Sequence, residues 1–324
     1  SLHQSSQGQL SMIKNFNIAL FGGRGYVGQE IIQLINIHPN FSLNRAYSSS
    51  SAGERVLKYT KNKDLKYSLL TIEDINLNNI DIVILALPNE QSFKYVEVIR
   101  KVSQSIIIID LSSDHRFDDE WDYRIPEIHN DSPNPNISNP GCYATAIQLS
   151  VAPITSLIKN KLVSIGISGF SGAGSSPNDK NDPKNLSDNI IPYKLADHIH
   201  EREVRAHSYK DIFFSPHVAN FFRGILITSH VELSDEVDLD ALINLYKIFY
   251  KDKKLITIIN NEPMINNVAN THNAIIGGFS IDLSKKNIVV CCVIDNLLKG
   301  AATQAIQNLN ISCNLDNLTG IKHG

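Results

Sequence analysis

Residues 16–39, FNIALFGGRGYVGQEIIQLINIHP, constrain the fold of this chain more than any other stretch. An apolar strand from Phe16 to Phe21 runs into a glycine turn, Gly22 to Gly28. Ile31, Ile32, Leu34 and Ile35 then fall on the buried side of a helix that ends near His38 and Pro39. The glycines at 22, 25 and 28 are spaced G-x-x-G-x-x-G, which permits a tight turn and lets a pyrophosphate approach the unpaired N–H groups of the helix start. A bare glycine pattern also fits a plain strand–helix connection. The strand before it and the helix after it make it a dinucleotide signal, with Gly22, Arg24, Gly25, Tyr26, Val27 and Gly28 as the nucleotide turn.

The next segment, FSLNRAYSSSSAGERV, is a second strand. An acidic residue at its end would mark NAD by bonding the ribose 2′-hydroxyl. Here the strand ends in Tyr47 and Ser48 to Ser51, with no acid before Glu54. Hydroxyls such as Ser48 and Ser49, together with Arg24, suit a 2′-phosphate, so the expected cofactor is NADP(H). IDIVILALPN (80–89) and SIIIIDLSSDHRF (105–117) are near-continuous apolar runs ending in polar residues. That is the pattern of central parallel strands whose C-terminal ends line a site, which puts Pro88 and Asn89 beside the cofactor. A helix over roughly 90–103 joins them.

A length of 324 residues suits two domains. The net charge of −3, from 30 basic and 33 acidic residues, argues against nucleic-acid binding, which wants a basic face. No apolar run approaches the ~20 residues of a membrane span. The four cysteines, at 142, 291, 292 and 313, form no C-x-x-C and no metal-binding spacing, so no metal is expected and a reducing compartment is. The polar SLHQSSQGQLSM (1–12) reads as a disordered lead-in, with Met12 as a candidate internal start.

SNPGCYATAIQLS (138–150) places Cys142 between a Pro-Gly turn and a run of helix formers. Unpaired N–H groups and the helix dipole stabilise a thiolate there, whereas Cys291 and Cys292, in the strand-like NIVVCCVID, read as core. Apolar positions 146, 149, 152, 153 and 157 suggest that the helix continues under the site. VSIGISGFSGAG is a strand running into a glycine-rich loop that contains Ser171 and Gly172. DHIHEREV clusters His198, His200, Glu201 and Glu203; His217 precedes another strand, which contains Arg223-Gly224. Any of the three histidines is a candidate acid–base partner for the thiol. Apolar stretches near 254–259, 273–282 and 286–294 add strands to a mostly antiparallel sheet with a helix, 237–249, on its face. A last helix from about Lys299 is expected to return to the first domain and aim its start at the cofactor. A thiol, an imidazole and a nicotinamide together suggest acyl chemistry through a thioester, coupled to hydride transfer.

With these residues in view the chain closely resembles the N-acetyl-gamma-glutamyl-phosphate reductase family, over about residues 16–320. FGGRGYVGQE, ILALPN, DLSSDHRF, ISNPGCYATA, SGFSGAG, LADHIHEREV, PHVANFFRGI and DNLLKGAATQA occur in the family's order. The details are most similar to the subgroup of some proteobacteria and of the fungal and protist enzymes made fused to acetylglutamate kinase. The polar lead-in would suit release from such a fusion. The resemblance implies an α/β Rossmann domain (16–141 plus 296–324) and an α+β catalytic and oligomerisation domain (142–295) with a mixed, mostly antiparallel sheet, behind a lead-in of residues 1–15. It implies Cys142 as nucleophile, His200 as acid–base partner, and Arg116, Arg223, Asn139 and Glu203 as substrate contacts, with Glu203 also able to orient His200. It sets Asn296 and Lys299, with Ser171 and Gly172, near the nicotinamide. It implies NADPH, a small-molecule substrate and a homodimer or homotetramer. The enzyme would work in the cytoplasm, or in the mitochondrial matrix of a eukaryote. Two positions depart from the family pattern. Ser49 and Ser50 stand where relatives often carry Arg-Glu, and Ser175-Ser176-Pro177 stand where many carry a base, with Lys180 as the nearest substitute.

The expected reaction is attack of Cys142 on N-acetyl-glutamyl 5-phosphate, hydride transfer to the resulting thioester, and proton transfer by His200. The helix N-terminus and a neighbouring imidazolium are expected to activate the thiol. Three other readings stay open. One is a relative acting on aspartyl or carrier-linked aminoadipyl phosphate. Another is a non-enzymatic NADP-binding redox sensor. The third is a cysteine hydrolase, which would leave the glycine turn without purpose.

Overall fold

Alternating strand and helix patterns in the first 140 residues demand a parallel sheet with helices on its faces, and the computed structural model, which describes residues 13–323, has one. Its elements are β1 (Phe16–Phe21), α1 (Tyr26–Ile37), β2 (Phe41–Ser48), β3 (Tyr67–Leu69), β4 (Ile82–Leu85), α2 (Ser92–Val102), β5 (Ile107–Asp110), β6 (Asp122–Tyr123) and β7 (Asn136–Ser138). The strand order is β3-β2-β1-β4-β5-β7-β6, with every pairing parallel. Register matters more for function than order does. Phe21 is level with Tyr47 and Leu85, Leu85 with Asp110, and Asp110 with Ser138. The chain therefore leaves this sheet at one edge as Gly22, Ser48, Ala86, Leu111 and Asn139. The expected lead-in, residues 1–12, lies outside the described residues.

The second half comprises α3 (Cys142–Val151), β8 (Leu162–Gly169), α4 (Pro183–Leu186), β9 (Ile190–Pro192), α5 (Ile199–His207), β10 (Ile212–Ala219), β11 (Ile225–Glu232), α6 (Leu239–Phe249), β12 (Ile256–Ile258), β13 (Ala274–Ile281) and β14 (Asn287–Ile294). Its sheet runs β12-β13-β14-β11-β8-β10-β9. Four pairings are antiparallel and two, β8 with β10 and β12 with β13, are parallel. The helices cover one face, where Ile147, Leu149, Phe214, Ile227, Tyr246 and Val290 share a core. Alternation sends Val163, Ile165 and Phe213 to the other face, where they are exposed.

α7 (Thr303–Ser312) returns to the first sheet, and Ala302, Ala305, Ile306 and Leu309 join the core of Ile18, Ile32 and Ile84. The helical run starts near Lys299 as expected, with a π-helical turn, Leu298–Ala302, before the regular α-helix at Thr303. The helix begun at Cys142 stops sooner than its apolar pattern suggests. It ends at Val151, and Ala152–Leu157 continues as a 3-10 turn with Pro153 in its first turn, where the missing N–H costs least.

Candidate active site

The nucleotide turn has the backbone that its glycines allow. Gly22 has φ of +89°, and a Cβ there would collide with the Ala86 carbonyl of the next strand's loop. Gly28 lies flat against Gly23, where an added Cβ would sit 2.7 Å from the Gly23 carbonyl carbon. Gly25 is the N-cap of α1 and offers no side-chain cap, so the N–H groups at Tyr26 and Val27 face an open anion site. Arg24 projects from this turn and pairs with Glu54 at 2.8 Å, both more than half exposed. Ser48 is buried and its Oγ accepts the N–H groups of Ser50 and Ser51, which pins the serine turn; Ser49 is exposed. Pro88 and Asn89 leave the adjacent strand on the surface, and Asn89 accepts the Ser113 N–H. A cleft of about 550 Å³ opens between Tyr26 and the 175–183 loop. Tyr26, Phe222 and Phe170 meet edge to face beside it.

Cys142 begins α3, behind the N-cap Gly141. Two elements close on it, through three residues. From α5, the His200 ring occupies the space that a side chain at Gly141 would need. From the π-helical turn, Gly300 passes so close that a Cβ there would sit 2.8 Å from Cys142 Cβ. From α5 again, Glu203 is wholly buried: it accepts the Gly141 N–H at 2.9 Å, the Tyr123 hydroxyl at 3.0 Å and the Arg116 guanidinium at 2.9 Å. Burial pushes the Cys142 thiol up to about 11, against the pull of the Tyr143 N–H and Arg116, while Glu203 pushes it further up. His200 is held well below the usual histidine range by burial and by Arg116. Both directions favour a neutral thiol beside a neutral imidazole and oppose the expected imidazolium. Buried His200 Nδ1 has no partner among the described residues, and Nε2 lies 3.9 Å from Glu203.

The other histidines have different places. His198 is the N-cap of α5 and its Nδ1 accepts the His200 N–H at 3.0 Å. Burial, His200, Lys180 and Lys194 together lower it to about 3. Contrary to expectation, His217 lies within β10, with Nδ1 3.2 Å from the Gly166 and Ser215 carbonyls, and Arg223-Gly224 form the turn before β11, where Gly224 takes a φ of +121°.

Several expected substrate and cofactor contacts are engaged by the protein itself. Arg116 donates to Glu203, to the Asn139 carbonyl and to the Leu111 carbonyl, so it shapes the thiol's field from a fixed position. Arg223 is clamped between Asp295 at 2.7 Å and Glu30 of α1 at 2.8 Å, so as a substrate grip it would first have to leave two carboxylates. Asn139 is buried, with its amide between the Ala301 carbonyl and Asn308. Asn296 bonds the Gly224 N–H and Ser171 Oγ, and so ties the Ser171–Gly172 loop to the end of β14. Lys299 departs furthest from expectation. Its ammonium is fully buried, pairs with Glu127 and donates to Gln304 and Gln307 at 3.1 and 2.8 Å. Lys299 lies in the π-helical turn, and its ammonium is enclosed by these three side chains.

Tyr143 and Tyr193 are site residues that sequence reasoning missed. Tyr193 donates to the Tyr143 hydroxyl at 3.2 Å, and Tyr143 donates to the His217 carbonyl at 2.8 Å. Both phenols are raised, first by burial, with the Cys142 thiol contributing. The position of Tyr143 next to Cys142 is a signal available in the sequence; Tyr193 offers none. No cluster of metal-binding side chains occurs among the described residues.

Residues 17–134 match the semialdehyde dehydrogenase NAD binding domain, and residues 142–296 match the semialdehyde dehydrogenase dimerisation domain. The N-acetyl-gamma-glutamyl-phosphate reductase of Xanthomonas oryzae pv. oryzae is 40% identical over 313 residues, which are 95% of this chain and 99% of that protein. Protein arg11, mitochondrial, of Schizosaccharomyces pombe is 41% identical over 95% of this chain; the chain spans 36% of that protein's length. The crystal structure of aspartate semialdehyde dehydrogenase II from Vibrio cholerae has the same fold, with a TM-score of 0.77 at 18% identity, covering 93% of this chain and 99% of that one.

Proposed function

We propose, since this chain belongs to the semialdehyde dehydrogenase family and within it to the N-acetyl-gamma-glutamyl-phosphate reductases, that it reduces N-acetyl-L-glutamyl 5-phosphate to N-acetyl-L-glutamate 5-semialdehyde and phosphate in arginine biosynthesis. The observation that carries this reading is Cys142 at a helix start, with His200 packed on Gly141 and a nucleotide turn leaving the neighbouring sheet on the same side.

Neutral partners define the first step. As Cys142 sulfur attacks the acyl carbon, its proton passes to the His200 ring packed on Gly141, whose neutral form burial favours beforehand. Phosphate leaves, and Cys142 carries the thioester. NADPH, when bound, supplies the hydride that reduces this thioester. His200 then gives its proton to the hemithioacetal oxygen. On collapse the proton returns through His200 to the departing sulfur, and the thiol is restored. The Arg116–Glu203 pair fixes His200 from behind and sets the charge beside the thiol; the N–H groups of the first turn of α3 supply donors for the oxyanion.

The glycine turn fits the pyrophosphate of NADP(H). Arg24 serves the 2′-phosphate, because its exposed pairing with Glu54 is weak enough to yield to a dianion. The apolar open face of the second sheet supports a homodimer or a tetramer built from it. Partnership with an acetylglutamate kinase in a fused precursor and work in the mitochondrial matrix or the cytoplasm belong to the same reading. The test is phosphate-dependent reduction of NADP with N-acetylglutamate semialdehyde, run beside aspartate semialdehyde. Preference for the acetylated substrate is expected; preference for aspartate semialdehyde, or no nucleotide reduction, would overturn the assignment.

A further inference from the structure

We propose that Lys180 grips the α-carboxylate of the substrate and so selects an acylated glutamyl chain over a chain of the same length without that carboxylate. The proposal rests on the reading that the substrate is N-acetylglutamyl phosphate, and it names the group that recognises the end remote from the thiol.

The substrate carries two anions, a phosphate at the reacting carbon and a carboxylate three carbons away, and both need positive partners. Arg116 acts on the Cys142 thiol but is itself held by Glu203 and by the Asn139 and Leu111 carbonyls. Arg223 is held by Asp295 and Glu30. Lys299 is sealed in with Glu127. Lys180 is different: half-buried, with no carboxylate within ion-pair distance among the described residues. Its ammonium stands 4.7 Å from the centre of the Tyr193 ring. Tyr193 leads through the Tyr143 hydroxyl to the residue after Cys142, and its ring meets His198 edge to face at 5.8 Å. Contacts thus run from the Lys180 ammonium to the neighbour of Cys142 through the rings of Tyr193 and Tyr143, which suits the remote anion.

The loop that carries it is built rigidly. Asn178 Nδ2 donates to the Ala173 carbonyl at 2.9 Å, Asn181 Nδ2 to the Gly174 and Ser176 carbonyls at 2.9 and 2.8 Å, and the Lys180 N–H to Asn178 Oδ1 at 2.9 Å. These bonds fix the backbone of Lys180 directly after the loop that Ser171 and Asn296 tie down. A preset backbone lowers the ordering cost of a salt bridge at the end of a long side chain. Lys194 also acts on His198, but it is exposed. It serves as the control.

Steady-state rates of NADP reduction would be measured for the wild type, Lys180→Met, Lys180→Arg and Lys194→Met. Two aldehydes are needed: N-acetylglutamate semialdehyde and N-acetyl-4-aminobutanal, the same chain without its carboxylate. Lys180→Met is expected to raise the KM for the semialdehyde roughly 10- to 100-fold, the worth of a charge-assisted hydrogen bond. The KM for phosphate and for NADP should move by less than about twofold, because uniform binding of one group is lost. Lys180→Arg should recover part of the loss. On N-acetyl-4-aminobutanal, Lys180→Met and wild type should be alike. Equal losses on both aldehydes would mean that Lys180 only packs on Tyr193, and would overturn the proposal. So would a raised KM for phosphate with the aldehyde unaffected, or a large effect at Lys194 with none at Lys180. Wild-type protein inactive on the semialdehyde would remove the substrate reading and this proposal together, a failure visible before any substitution is made.

Discussion

Gly141→Ala places one methyl group where the imidazole of His200 now lies. Gly141 has φ of −70° and ψ of 157°, a region open to alanine, so the backbone itself resists nothing. The new Cβ would approach Cδ2 and Cε1 of His200 to 2.7 and 2.8 Å, and Nε2 more closely still. Ordinary contact requires the ring to retreat by about 1 Å. It cannot pivot freely, since Tyr143 and His198 pack on it and Glu203 lies behind it. A displacement of that size in a catalytic pair costs roughly 100-fold in kcat, about 2.7 kcal/mol of barrier. Exchange of an N-cap glycine for alanine adds about 0.5–1 kcal/mol to the stability cost, and overpacking adds about 1–3 kcal/mol. The assay is kcat and KM for phosphate-dependent NADP reduction, with NADPH binding followed by fluorescence and folding by urea melts. A kcat near 1% of wild type with cofactor binding retained is expected. A folded variant with kcat within about threefold of wild type would refute the coupling of His200 position to chemistry.

His200→Asn should cut turnover by roughly 10²–10⁴-fold and remove one limb of the pH–rate profile. His198→Asn should be mild, since asparagine replaces histidine well as the cap of α5; a large defect there would reverse the assignment. Arg24→Ala should raise the KM for NADPH far more than that for NADH, and equal effects would refute the 2′-phosphate role. Stability should fall on acidification. Burial lowers His38 and His129 to about 4, so below the unfolded value of about 6.5 the unfolded chain binds more protons. The contribution is full above that value and is lost as pH falls towards 4. Urea melts at pH 7 and pH 5 should differ by roughly 2 kcal/mol for each such histidine, and His38→Asn should flatten the dependence.

The parts of this fold that the sequence makes legible are local ones. A glycine turn between an apolar strand and an amphipathic helix identifies β1 and α1, and four-residue runs such as Ile82–Leu85 are apolar enough to announce central strands. β3, β6, β7 and β9 have two or three residues each, too few to show a period. Cys142 stands out because its turn and helix adjoin it in the chain. The fate of the charged residues is not local. Arg116 meets Glu203, Arg223 meets Glu30 and Lys299 meets Glu127 across 87, 193 and 172 positions, so basic residues that look free in the sequence are paired in the fold. The environment of the expected imidazolium is equally non-local: burial and the guanidinium of Arg116 both disfavour a charged His200, and neither is visible in the H-x-H motif.

Covalent capture on Cys142 tests the account most directly. With NADP and N-acetylglutamate semialdehyde but no phosphate, hydride leaves the substrate and the acyl group has nowhere to go. Acid quenching followed by mass spectrometry of the peptide containing Cys142 should then show one N-acetylglutamyl group on that cysteine, matched by a burst of one NADPH per active site. Phosphate should discharge it, and Cys142→Ala should abolish both signals. NADPH formation in the Cys142→Ala protein, or the acyl group on any other residue, would contradict the thioester mechanism.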